Sequence, residues 1–225
     1  MVGIDKKEEQ LLELVIEYYI KYGTPIGSKS LDKIENLKMA PSTIRKYLNF
    51  LEKKWLVYQP YNSAWRIPTV EWIGVYIQNI LSKPEPHNRD YLAKLQERFN
   101  LRHFIEILGE NIDWVAFGYY ENEKDIHYLW VAKVLKKANN DLEKIIPLID
   151  FIEQKQLITY LTHTEIETKK INYSFVNYQW TNIVMMYVKT PFEWNNAIIW
   201  AVSSLRVDYK WNIKILQTIL DKWIN

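Results

Sequence analysis

The chain has 225 residues, with 29 lysines and arginines against 27 aspartates and glutamates, and no cysteine. That length accommodates two small domains or one large one, each able to bury a core, and the lack of cysteine excludes disulfides and thiolate metal sites. The opening MVGIDKKEEQ brings acids at once, unlike a secretory leader, and no apolar run approaches the ~20 residues of a membrane span. A cytoplasmic protein with no membrane partner is the expectation.

In chain order, Lys6–Tyr22 carries an apolar stripe at Leu11, Leu14, Val15, Tyr18 and Tyr19 and reads as a helix, with Gly23 placed to end it in a left-handed conformation. Thr24-Pro25-Ile26-Gly27 is a turn, and Ser28 or Ser30 can cap a short helix to about Glu35. Asn36–Ala40 connect it to a third helix, which starts at Pro41 and runs to about Lys54 with Ile44, Tyr47, Leu48 and Leu51 inward. Trp55–Tyr61 reads as a strand, Asn62-Ser63 as its turn and Ala64–Ile67 as the return strand, with Pro68 ending the pairing for want of a donor. Val70–Leu81 is an apolar helix.

Ser82-Lys-Pro-Glu-Pro-His-Asn88 is the clearest linker pattern. It sets the expected domains: residues 1–82, a linker at 83–90, and residues 91–225. Within the second part, Tyr91–Leu108, Asp141–Gln154 and Asp208–Trp223 read as helices. Ile112–Tyr120, Ile126–Val134, Leu157–Leu161, Ile171–Tyr178, Ile183–Lys189 and Ala197–Ser203 read as strands. The whole is an α+β chain with a mainly antiparallel sheet in its second domain.

The net charge of +2 is unevenly spread. Between Lys21 and Arg66 stand nine bases and three acids; from Lys83 onward the signs balance at 18 each. A turn, two helices and a hairpin under a local positive charge is the order of parts in a winged helix-turn-helix, and it points to double-stranded DNA. On the third helix, Ser42, Thr43, Arg45 and Lys46 are the candidates to reach bases or phosphates. Ser28 and Lys29 could take a phosphate at the second helix, and Ser63 and Arg66 could do so at the wing tip. The four histidines are scattered with no metal-ligand spacing, and there is neither a glycine-rich phosphate loop nor a nucleophile elbow. No metal, cofactor or enzymatic activity is expected.

Gly23-Thr-Pro-Ile-Gly-Ser-Lys-Ser-Leu31, Pro41-Ser-Thr-Ile-Arg45, Leu51-Glu52 through Gln59-Pro60, and Ser63-Ala-Trp-Arg-Ile-Pro-Thr69 resemble segments of the HrcA family of heat-inducible transcription repressors. A distant second match, Ser203-Ser-Leu-Arg-Val-Asp-Tyr209, resembles the family's Gly-Pro-Thr-Arg-Met-Asp-Tyr segment. Gly27, Pro68, Arg206, Asp208 and Tyr209 are the matching motif positions. The resemblance implies a GAF-like second domain, and a homodimer on an inverted-repeat operator of chaperone genes. It further implies stress-response repression supported by the GroEL chaperonin. Family members are longer, with an inserted dimerisation subdomain for which this chain has no room, so dimerisation would use the Trp72–Leu81 helix or the aromatic sheet. Lys46 stands where the family commonly has asparagine, and Trp65 replaces a wing glycine, which would strain the backbone if that position needs positive φ. Two other readings carry different expectations. One is a winged-helix regulator that senses a small molecule; the other is a protein-interaction module whose basic part anchors DNA without sequence preference.

Overall fold

A computed structural model describes residues 5–33, 39–60, 65–83, 101–120, 142–153, 165–192 and 195–224. The chain divides into two compact units, Met1–Ser82 and Lys83–Asn225.

The first unit opens with α1 (Lys6–Tyr22), whose start is closed by a reciprocal cap. Asp5 accepts from the backbone of Lys7 and Glu8 at 2.8 Å, and Glu8 returns a bond to the Asp5 N–H, so donors that a helix start otherwise leaves orphaned are satisfied. Gly23 ends the helix at φ 66°, a left-handed conformation that is strained for a residue with a Cβ. α2 is a single short helix (Ser28–Asp32) that ends at its C-cap Lys33, ahead of the expected limit near Glu35; residues 34–38 lie outside the described residues. α3 (Pro41–Lys53) follows, with Pro41 in its first turn, where a missing N–H costs nothing.

Two short strands, β1 (Val57–Tyr58) and β2 (Ile67–Pro68), pair antiparallel, and Ile26 bridges to Arg66 beside them. Pro68 is thus inside the pairing that the sequence expectation had it terminate. Thr69 donates to the Leu56 carbonyl at 3.1 Å, so Pro68, opposite Val57, occupies the intervening pair of the ladder, which requires no N–H. α4 (Val70–Leu81) is capped by the Thr69 hydroxyl, and its Trp72, Ile73, Tyr76, Ile77 and Ile80 are buried within the one chain. Leu11, Leu12, Val15, Ile16, Leu31, Ile44, Leu48, Leu51 and Val57 are buried in the same unit.

The end of α3 is unusual. Leu56 donates to the Leu51 carbonyl at 3.0 Å and Trp55 to that of Glu52 at 2.9 Å, the paired bonds of a Schellman ending. The left-handed position that such an ending needs is filled by Trp55, at φ 59° and 79% exposed, rather than by glycine.

The second unit contains α5 (Leu101–Asn111), β3 (Val115–Tyr120), α6 (Leu142–Glu153), β4 (Ile171–Tyr178), β5 (Thr181–Phe192), β6 (Asn195–Ser204) and α7 (Tyr209–Ile224). The expected strands at 126–134 and 157–161 lie outside the described residues. The four strands form one antiparallel sheet in the order β3-β6-β5-β4. Alternate residues serve opposite faces. Val115, Phe117, Ile183, Met185, Tyr187, Ile198, Trp200 and Val202 pack with Leu148, Phe151 and Ile152 of α6. Gly118, on the other face, leaves room for α5; a Cβ there would come within 3.0 Å of Leu101 and Ile105. Helices on both faces explain why Val115–Tyr120, Ile183–Val188 and Ala197–Ser203 are buried without alternation.

Asp208 caps α7 by accepting from the Trp211 N–H at 2.9 Å. Tyr209 is buried edge-on to Trp114 and donates to the Leu205 carbonyl at 2.9 Å, and Asn212 accepts from the Asp113 N–H at 3.0 Å. The β4–β5 turn is held by Asp150 of α6, which accepts from the Tyr178 hydroxyl and the Gln179 amide, both at 2.7 Å.

The Trp55 geometry generates a stability test. A left-handed non-glycine residue costs roughly 1–2 kcal/mol, of which the extra chain entropy of glycine takes back ~0.5–1. Trp55→Gly is therefore expected to stabilise the first unit by about 0.5–1 kcal/mol, read as a higher urea midpoint with an unchanged slope.

Candidate nucleic-acid interface

The amphipathic spacing of α3 sorts its side chains. Ile44, Leu48 and Leu51 are buried, while Ser42, Thr43, Arg45, Lys46, Asn49 and Lys53 are exposed. The short hydroxyls and the two cations at 42–46 therefore share the solvent-facing first turns of one helix, held from behind by its packing on α2 and α1. Lys54 lies over the Phe50 ring at 4.2 Å. Lys29 is exposed on α2.

Ser28 is placed differently from the expectation. The N-cap of α2 is Gly27, with no side-chain cap bond, and Ser28 sits one residue inside, 4% exposed. Burial removes its hydroxyl from any contact with a duplex. Gly27 lets the indole approach closely: a Cβ there would lie 3.0 Å from Cδ1 and 3.1 Å from Nε1 of Trp65, so the ring would have to shift.

Arg66 is the larger correction. It was expected at the wing tip, open to DNA; it is 5% exposed. Its Nη2 donates to Glu52 Oε2 at 2.7 Å and to Asn49 Oδ1 at 3.0 Å, both on α3. Its backbone exchanges two bonds with Ile26, at 2.8 and 2.9 Å. One residue thus ties the turn before α2, the end of α3 and the second hairpin strand together. Strand alternation gives the reason: Arg66 points inward, and its neighbour Trp65 points out at 52% exposure. Among the described residues, the non-glycine positions with positive φ are Trp55, Lys169, Gln179 and Trp180; the Ala64 that precedes Trp65 lies outside the described residues. Ser63 lies outside the described residues.

Nearby, burial and then Tyr19 raise the Tyr58 phenol above its ordinary 10.0, so Tyr58 is neutral at the hairpin surface. The motif residues of the second unit have structural places: Asp208 is a helix cap, Tyr209 a buried anchor, and Arg206 is exposed. Among the described residues no group of three or more potential ligands could hold a metal, and no helix is long and apolar enough to cross a membrane.

Comparison with known proteins bears on the sequence and the fold separately. No family model matches the chain. Over 99 residues, 44% of this chain, it is 31% identical to the heat-inducible transcription repressor HrcA of Cyanothece sp.. That stretch of the chain is HrcA-like, and the match spans 27% of the relative's length. In structure, 98% of the chain aligns with 96% of a hypothetical protein known from a crystal, at 13% identity and a TM-score of 0.67, which shows a shared fold. The IclR of Thermotoga maritima aligns over 98% of this chain and 97% of its own at 14% identity, with a TM-score of 0.29.

The Arg66 clamp makes its own prediction. Removing one partner of a fully buried ion pair costs ~3–5 kcal/mol; with Glu52 one-third exposed, Arg66→Ala is expected to destabilise the first unit by about 2–3 kcal/mol. Replacing both partners with apolar residues (Arg66→Met with Glu52→Leu) should recover part of that loss, since no charge is then left unpaired. Urea unfolding of the three proteins measures both effects.

Proposed function

We propose that this chain is an HrcA-like transcription repressor that binds double-stranded DNA through a winged helix-turn-helix in residues 1–82, with a GAF-like regulatory domain in residues 91–225. The observation that carries the reading is the solvent face of α3. Ser42, Thr43, Arg45 and Lys46 stand exposed on a helix buried along Ile44, Leu48 and Leu51, in the most basic stretch of the chain. In the order helix, bridge, helix, helix, hairpin, α3 is the element that a winged helix-turn-helix lays in a major groove. The HrcA-like stretch supports the choice of a repressor over other DNA-binding classes.

In this reading Arg45 makes the base contact, because a guanidinium can donate two bonds to one guanine edge. Ser42, Thr43 and Lys46 position the helix on the adjoining phosphates, and Lys29 adds a phosphate contact from α2. The operator is an inverted repeat upstream of chaperone genes, bound by a homodimer whose half-sites lie about one helical turn apart or a multiple of it. Support of the repressor by the GroEL chaperonin completes the reading and follows the HrcA-like match alone.

A gel-shift titration tests it, with the upstream DNA of the chain's own chaperone operon against a scrambled duplex. The wild type should prefer the operator. Arg45→Ala should lose that preference, a bidentate arginine–guanine pair contributing ~1–3 kcal/mol of discrimination. Lys29→Ala should weaken both duplexes alike and flatten the salt dependence by about one phosphate contact per subunit. Equal affinity of the wild type for both duplexes at physiological salt would instead indicate a non-specific anchor.

A further inference from the structure

We propose that Trp65 is the DNA-contacting side chain of the wing, and that its contact is apolar rather than ionic. The inference rests on the DNA-binding reading above and adds a residue to it. From Leu56 to Thr69 the hairpin sequence LVYQPYNSAWRIPT contains one charged residue, Arg66. That guanidinium is buried and committed to Glu52 and Asn49 of α3. The hairpin therefore has no exposed cation with which to grip a phosphate, and a neutral side chain must make its contact.

Trp65 is the side chain built for this. It lies on the hairpin next to Arg66 and points to the opposite side, with half of its surface exposed. The pyrrole edge of the indole rests on Gly27, close enough that a Cβ there would stand 3.0 Å away. Gly27 in turn caps α2, the helix packed against α3. The indole is thus seated against the element that supports the reading helix, with its remaining surface outward. An indole fixed in this way loses little side-chain entropy on binding. Its flat outer surface is available to the groove edge beside the hairpin, and apolar side chains are a recurrent part of minor-groove contacts.

The chemistry gives a signature that separates this contact from those on α3. Binding that releases counterions varies with salt in proportion to the number of cationic contacts, each worth a slope of about 0.9. An apolar contact releases none. Fluorescence anisotropy of the full chain with a labelled random-sequence duplex, measured across a salt series, reads both quantities. Trp65→Ala should lower affinity by about ten-fold at every salt concentration, the scale of burying roughly half an indole, with the salt slope unchanged. Trp65→Phe should keep most of the affinity. Lys46→Ala, by contrast, should reduce the slope by about one contact per subunit.

Because Trp65→Ala also removes a packing contact over Gly27, Trp65→Gln serves as a second variant that keeps side-chain length without the rings, and thermal unfolding establishes that each variant is folded. Folded Ala and Gln variants that bind within two-fold of the wild type would overturn the assignment. So would a loss of affinity accompanied by a shallower salt slope. A wild type that does not bind duplex DNA would instead sink the DNA-binding reading itself.

Discussion

The first unit depends on a buried guanidinium. Arg66 reaches from the hairpin to Glu52 and Asn49 of α3, while its backbone pairs with Ile26 in the turn before α2. A hairpin of two-residue strands has little stability of its own. Here it is fastened across three segments by one side chain and two backbone bonds, in surroundings dry enough that an unpaired charge would be costly. The orientation of α3 relative to the hairpin and the seating of Trp65 against Gly27 both follow from this fastening. Pro68 can close the hairpin because it falls at a pair where no donor is needed.

The second unit is organised by a different constraint, a sheet with helices on both faces. Stacked rings of Phe117, Trp200 and Tyr187 fill the side toward α6, with centroid separations of 6.3 and 4.4 Å from Trp200. Gly118 gives up its side chain so that α5 can approach the other side. The strand β6 leads into α7 through a joint in which Asp208 caps the helix and Tyr209 anchors it to Trp114 and the Leu205 carbonyl. Asp208 and Tyr209 thereby fix the joint between strand and helix.

Much of the fold was legible because local signals and tertiary packing agree. The stripe Leu11, Val15 and its neighbours, the glycine at 23 and the proline at 41 mark helix boundaries by mechanisms that act within a few residues. The exposed set Ser42, Thr43, Arg45 and Lys46 followed from the same periodicity. Arg66 could not be placed in this way. Its partners lie 14 and 17 residues back in the sequence, and a short strand beside a turn offers no pattern to say which of two adjacent side chains faces in. The alternation Trp65-out, Arg66-in was the missing fact, and the single charge of the hairpin is the one sequence hint that could have prompted it. Ser28 was misplaced for a related reason: the cap belongs to Gly27, which lets the indole of Trp65 approach closely. Trp55 was not legible as a left-handed residue because glycine is what that position favours.

The placement of Arg66 also changes what the local positive charge means. Paired with Glu52, it contributes no free charge to the surface, so among the described residues the exposed cations of the stretch lie at Lys21, Lys29, Lys33, Arg45, Lys46 and Lys53, on the helices or at their ends. The hairpin between Leu56 and Thr69 is electrically quiet, with Tyr58 neutral and Trp65 apolar. A polyanion approaching this unit would be drawn by the helices, through forces that weaken as salt rises. The hairpin would engage at contact distance, through surface that excludes water and is indifferent to salt. In the proposed complex attraction and fit would be divided between two elements, and the ion pair that silences Arg66 is what would divide them.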